Sequence, residues 1–248
     1  MEAYVTHFEK EQIGYLEFGN PAGNSLPSSL LGDFEKQLEL LSNSKNIGVI
    51  VIQSAGKGAF CGGASLSEMK SLTNLEQATA FFMGFANLIN RIRLLDKFVI
   101  VRVQGKVVGG GVGLVAACDY AIALETASVK LSELSIGIGP YVIEPAVSRK
   151  IGNTAFTQLS LDAHEWKTAA WAEQQGLYAA VCKSEEELDQ KIYKMASRLA
   201  GYPKKANQNL RKLHWKDTAH WEHTLPKNAE ITATLALEKA TQDILKKL

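Results

Sequence analysis

Two continuous apolar runs, Ile47-Gly48-Val49-Ile50-Val51-Ile52 and Phe98-Val99-Ile100-Val101-Arg102-Val103, each deliver the chain into a glycine-bearing loop. Runs this rich in β-branched residues, without polar alternation, predict strands covered on both faces, the habit of parallel strands in α/β proteins. The loops are Phe60-Cys61-Gly62-Gly63-Ala64-Ser65 and Val108-Gly109-Gly110-Gly111-Val112-Gly113, and each leads into a segment able to start a helix. A strand-loop-helix junction leaves backbone N–H groups unpaired at the positive end of the helix. Two such junctions that converge aim two donors at one oxygen, an oxyanion hole, and that predicts chemistry on a carbonyl carbon rather than on a phosphate or a sugar.

The remaining pattern predicts an α/β fold with a helical tail. Ala3 to Glu9 and Ile13 to Phe18 read as a hairpin around Lys10-Glu11-Gln12, and Gly19 to Asn24 as a turn-rich loop. Ser28 to Leu41, Asn74 to Leu95 and Gly110 to Cys118 have helical character, with Phe81, Phe82, Phe85, Leu88, Ile89 and Ile92 forming the stripe of the second. Asp119 to Leu124 reads as a further strand. From about Thr154 the pattern is mainly helical, with Glu185 to Leu199 and Ala229 to Leu248 amphipathic. Gly201 and Pro203 suggest a boundary that divides a core of residues 1–200 from a C-terminal helical region of residues 201–248.

The 248 residues suffice for a sizeable core, and a formal net charge of +1 supplies no global field to recruit nucleic acid or an anionic membrane. Three cysteines, Cys61, Cys118 and Cys182, with no CxxC pair, argue against a disulfide framework and against zinc and point to reduced thiols in the cytoplasm. No basic-then-apolar leader pattern opens the sequence, and no apolar run reaches the ~18 residues of a spanning helix.

Phe60-Cys61-Gly62-Gly63-Ala64-Ser65-Leu66-Ser67-Glu68-Met69 resembles the FCAGADL-x-EM signature of the enoyl-CoA hydratase/isomerase, or crotonase, superfamily. Val103-Gln104-Gly105-Lys106-Val107-Val108-Gly109-Gly110-Gly111-Val112-Gly113-Leu114, with Cys118-Asp119 after it, resembles that family's second signature. The two in this order, about 45 residues apart, are far more specific than either alone. The resemblance implies a spiral of ββα units followed by C-terminal helices, a homotrimer or dimer of trimers, and an acyl-CoA thioester as substrate. It implies no metal and no separate cofactor, coenzyme A being part of the substrate. Its shared chemistry is an enolate-like thioester oxyanion held by two backbone N–H groups, here those of Ala64 and Gly110.

Carried over residue by residue, the resemblance makes Glu133, in Leu131-Ser132-Glu133-Leu134, the acid/base group. Gly63 and Gly109 flank the donors. Asn24-Ser25-Leu26 matches the segment that meets the adenine end of CoA, so Ser25 and Leu26 are candidate binding residues. Tyr141 stands where some isomerases of the family carry an aspartate and is a candidate to orient water or substrate. Ser65 replaces the usual aspartate and caps a helix equally well. Gly113 is the main departure, because the best-known hydratases carry a second glutamate there. Glycine at this place together with the LSE-type motif looks most like the bacterial branch of methylglutaconyl-CoA-type hydratases. The expected reaction is hydration of a 2-enoyl-CoA. Double-bond isomerisation by a single glutamate and a non-catalytic acyl-CoA-binding role are the alternatives. Glu144 is the nearest other carboxylate, better explained as a helix-start residue. Lys204, Lys205 and Lys212 suit solvent better than CoA phosphates, and His220 with His223 lacks the further ligands of a metal site. Trp215 and Trp221 are expected in a subunit interface.

Overall fold

The computed structural model describes residues 2–248. β1 (Tyr4–Lys10) and β2 (Ile13–Gly19) form the expected antiparallel hairpin, turning through Glu11 and Gln12 at φ 50° and 65°. The chain continues through α1 (Ser28–Asn43), β3 (Val49–Ser54), α2 (Leu66–Lys70), α3 (Leu75–Leu94), β4 (Phe98–Val103), β5 (Val107–Val108), α4 (Gly110–Ala117), β6 (Tyr120–Leu124) and β7 (Ser128–Lys130). After these come α5 (Glu144–Leu161), β8 (Lys167–Thr168), α6 (Ala169–Gln174) and β9 (Ala180–Cys182). Four helices close the chain: α7 (Glu185–Gly201), α8 (Lys204–His214), α9 (Trp221–Leu237) and α10 (Lys239–Leu245).

The strands build two ladders. One is a six-stranded sheet in the order β1-β2-β3-β4-β6-β9, parallel from β2 onward. The other is the small sheet β5-β7-β8, extended by the bridges Cys61–Val107 and Leu26–Ala64. Successive turns of chain therefore place a strand in the large sheet, a strand or bridge in the small ladder, and then a helix, which is the spiral of ββα units the sequence suggested. β3 and β4 are buried on both faces as expected: Ile50, Ile52, Val99 and Val101 enter the main core, while Val49, Val51, Phe98 and Ile100 face Leu188, Ile192 and Ala196 of α7.

Three elements differ from the expected pattern. α5 starts at Glu144, the helix-start role expected of that residue, ahead of the mainly helical pattern read from about Thr154, and Gly152 at φ 76° interrupts it between the two. The final helix is two, broken at the extended Glu238. Trp215 and Trp221 pack edge to face at 5.8 Å inside the chain's own core, not on an outer interface. Leu225, Ala229, Ala233 and Leu245 share that core, so the C-terminal helices fold onto the spiral rather than standing apart from it.

One buried ionic cluster ties the tail to the core. Asp119 accepts hydrogen bonds from the Val99 N–H at 2.8 Å, Arg211 Nε at 2.9 Å and Trp215 Nε1 at 2.8 Å. The Arg211 guanidinium also donates to the carbonyls of Ile92, Arg93 and Leu95, capping the C-terminus of α3. Removing one partner of such a pair strands the other charge in the interior. Asp119→Ala is expected to lower unfolding free energy by about 3–5 kcal/mol, and Trp215→Phe, which deletes one hydrogen bond, by about 1 kcal/mol. Urea midpoints measure both, and equal effects would contradict this ranking.

Candidate active site

The two glycine loops meet as the sequence suggested. Phe60 N–H donates to Lys106 O at 2.9 Å and Val108 N–H to Cys61 O at 2.9 Å, zipping the loop after β3 to β5. Gly63, at φ 84°, brings the backbones closest: a Cβ there would stand 2.8 Å from Val108 O and 3.5 Å from Gly110 N. No side chain fits that approach, and the left-handed φ itself disfavours L residues. Among the described residues no oxygen accepts the N–H of Ala64 or of Gly110. They open onto one cavity of about 400 Å³. Gly110 begins α4 and Ala64 lies just before α2, so helix N-termini add positive potential at both donors. Ser65 caps α2 by accepting the Glu68 N–H at 3.3 Å, the role expected of it.

Leu26 and Ser25 act one step back from the cavity. Leu26 is buried, and its N–H donates to Gly63 O at 2.8 Å, fixing the loop that carries Ala64. Neither lines the cavity. Cys61 is packed beneath the loops, and burial pushes its thiol up to about 12, so it is no nucleophile at neutral pH.

Glu133 faces the donors. It follows β7, whose Lys130 carbonyl accepts the Gly109 N–H at 3.0 Å. Gly109 holds φ 52°, and a Cβ there would lie 2.9 Å from Glu133 Oε1. Glu133 as a residue is half-buried, but its Oε2 is buried without a hydrogen-bond partner among the described residues. Desolvation pushes the carboxyl from 4.5 up to about 7, opposed only by its own backbone N–H. The surrounding wall is apolar, with Leu66, Met69, Phe82, Phe85, Ile138, Val142 and Ile143. Phe81, the third phenylalanine of the α3 stripe, is outside the lining, in an edge-to-face pair with Phe82 at 5.0 Å. Thr232 and Leu248 from the C-terminal region complete the lining, which no local pattern announced.

The other candidates lie elsewhere. Tyr141 is 40% exposed and outside the lining, with its ring packed over Gly139 and its carbonyl accepting Asn228 Nδ2 at 2.8 Å. Glu144 opens α5 on a separate cleft with Arg149, His214 and His220. Lys204 donates to the Lys45 carbonyl, and Lys205 and Lys212 are exposed. Lys130 and His164 line the cavity, and Lys130 and Lys106 place their ammonium groups 4.7 and 4.9 Å from the ring centre of Trp166. Sequence reasoning missed this basic and aromatic cluster because its members come from three separate strands' ends. Among the described residues no group of three or more His, Cys, Asp or Glu side chains is arranged to hold a metal ion, and no helix is long and apolar enough to cross a membrane.

A carboxyl kept protonated by a dry site costs stability once the pH passes its unfolded value. Between about pH 4.5 and 7 the unfolded chain has lost this proton and the folded chain has not. Stability therefore falls as pH rises through that window and stays lower above it. Glu133→Gln is expected to be more stable than the parent at pH 8 by up to about 3 kcal/mol, with the gap closing below pH 4.5. Paired urea melts at pH 4 and 8 measure this, and no gap at pH 8 would contradict the dry site. Gly63→Ala is expected to push the loops apart and lower kcat by about 100-fold with little change in KM.

A family model described as enoyl-CoA hydratase/isomerase matches residues 9–247. The chain is 28% identical over 189 residues to a probable enoyl-CoA hydratase of Bacillus subtilis, covering 76% of this chain and 72% of that one. It is 33% identical over 142 residues to the human mitochondrial methylglutaconyl-CoA hydratase, covering 56% of this chain and only 42% of that protein. Among solved structures, an enoyl-CoA hydratase from Bacillus halodurans superposes with a TM-score of 0.92 at 21% identity, covering 99% of this chain and 100% of that one. A putative enoyl-CoA hydratase/isomerase (crotonase) from Legionella pneumophila gives 0.81 at 29% identity, covering 88% and 84%. The fold is thus that of the crotonases.

Proposed function

The chain belongs to the enoyl-CoA hydratase/isomerase family, and on that premise we propose that it adds water to a 2-enoyl-CoA thioester. The observation that carries this reading is one partnerless carboxylate, Glu133, in the same cavity as two unpaired N–H donors. The thioester oxygen lies between the N–H groups of Ala64 and Gly110. Glu133 takes a proton from water as the oxygen of that water bonds to C3. The C2–C3 π electrons move toward the thioester, and the negative charge collects on the oxygen held by the two donors. Glu133 then returns the proton to C2, so that one water has been added and no electron lost. The step draws on no metal or redox cofactor, coenzyme A being part of the substrate.

A proton affinity near neutrality suits a group that both takes and returns a proton. The apolar wall of Leu66, Met69, Phe82 and Phe85 receives the acyl chain, and the Lys106–Trp166–Lys130 cluster favours the anionic CoA ester at the rim. The hydratase names of the relatives support hydration. That Glu133 is the only side-chain carboxylate on the lining among the described residues supports a second reading, proton transfer between C2 and C4 of a 3-enoyl-CoA, which moves the double bond without water. In either case assembly as a homotrimer or dimer of trimers, with residues 201–248 taking part, is part of the proposal.

Incubation with crotonyl-CoA, 3-methylglutaconyl-CoA and 3-hexenoyl-CoA tests both. A product heavier by one water from a 2-enoyl ester, with the oxygen drawn from solvent, is expected. Conversion of 3-hexenoyl-CoA at constant mass without any hydration would replace this reading with the isomerase. Glu133→Gln is expected to lose at least about 100-fold in kcat, the scale of general acid–base catalysis, while binding CoA esters as the parent does. Full turnover in that variant would remove Glu133 from the reaction.

A further inference from the structure

Among the described residues the lining holds one side-chain carboxylate, for a steric reason that lies thirty residues from the glycine loop. Gly113 is buried in the first turns of α4. A Cβ added there would stand 2.4 Å from Ile143 Cγ2, 2.7 Å from Ile143 Cβ and 3.4 Å from Ile89 Cδ1. The first contact is relieved by turning the isoleucine side chain, but the second is not, because a Cβ moves only with its backbone. That backbone is held: Ile143 caps α5, its carbonyl accepts the Val147 N–H at 3.0 Å, and the Glu144 N–H beside it donates to Pro140 O at 3.0 Å. Ile143 is itself 3% exposed and lines the cavity that Glu133 enters.

We infer that Ile143 is the residue that commits this site to a single side-chain carboxylate, by filling the space into which any side chain at position 113 would grow. The inference rests on the reading of Glu133 as the acid/base group. Gly113 and Ile143 are therefore interlocked: position 113 accepts no acid unless Ile143 changes with it. With one carboxylate, the proton removed from water and the proton delivered to C2 pass through the same group. Addition is then syn, and a single ionisation governs kcat/KM. The other titratable side chains on the lining are Lys130 and His164.

A series in the Gly113→Glu background tests the interlock. Gly113→Glu alone is expected to melt well below the parent and to lose about 100-fold or more in kcat/KM. Adding Ile143→Val, which keeps both clashing atoms, is expected to restore nothing. Ile143→Ala removes Cγ2 and restores part, whereas Ile143→Gly removes both atoms and restores the most. The restored double variant is expected to show two ionisations in kcat/KM where the parent shows one. Separately, Ile143→Ala in the parent opens part of the apolar wall of the cavity that Glu133 enters to bulk solvent and is expected to move the Glu133 ionisation to lower pH. A Gly113→Glu protein with the parent's melting temperature, or equal rescue by Val and Gly, would overturn the inference. If the parent hydrates nothing, the functional reading fails on its own, and the order of melting temperatures still decides the steric claim.

Discussion

The structure depends on one close approach of backbone to backbone, where Gly63 passes Val108 with no room for a Cβ. Everything chemical follows from it. The approach sets Ala64 and Gly110 side by side with free N–H groups, at the starts of two helices whose dipoles reinforce them. It is maintained by the small ladder beneath, in which Leu26, Cys61, Val107 and Val129 stand in line across bridges and short strands. The large sheet supplies rigidity, and the small ladder supplies the register that aims the donors. Donors fixed in advance need no rearrangement as charge develops, which is why such a pair is effective on an oxyanion.

Two buried carboxylates in this protein live under opposite rules. Asp119 is satisfied by a backbone N–H, an arginine and a tryptophan, and it anchors α8 to α3 and β4. Glu133 is left with an orphaned oxygen in an apolar wall. The first carboxylate stabilises the fold, and the second draws on that stability to keep a proton ready near neutral pH. Deleting a carboxylate is thus destabilising in one place and stabilising in the other, which separates architecture from chemistry better than burial does.

Much of this was legible in the sequence, for identifiable reasons. β3 and β4 announced themselves as two-sided strands because both faces are in fact covered. Ala64, Gly110 and Glu133 were picked out by the two signatures and the LSE-type motif that the chain shares with the family, and the structure brings all three to one cavity. Ile143, Thr232 and Leu248 were not legible. Their places depend on where α5 begins and on the C-terminal helices folding back, and Gly152 hid the first while Glu238 broke the second. The gap at Gly113 was visible as a missing acid, but the residue that fills it is distant in the chain and carries no local signal. Tyr141 went the other way: its neighbour two positions on turns inward, and the tyrosine itself turns out.

The claim at the centre is that Glu133 is desolvated in the cavity it shares with the N–H groups of Ala64 and Gly110 and with Ile143. Its carboxyl carbon, labelled with 13C and followed by NMR against pH in the ligand-free protein, reports this directly. A single titration centred near 7 is what the buried, partnerless oxygen requires. A midpoint near the ordinary 4.5 would mean that bulk solvent surrounds the carboxylate, and the account of Glu133 as a desolvated acid/base group would not stand.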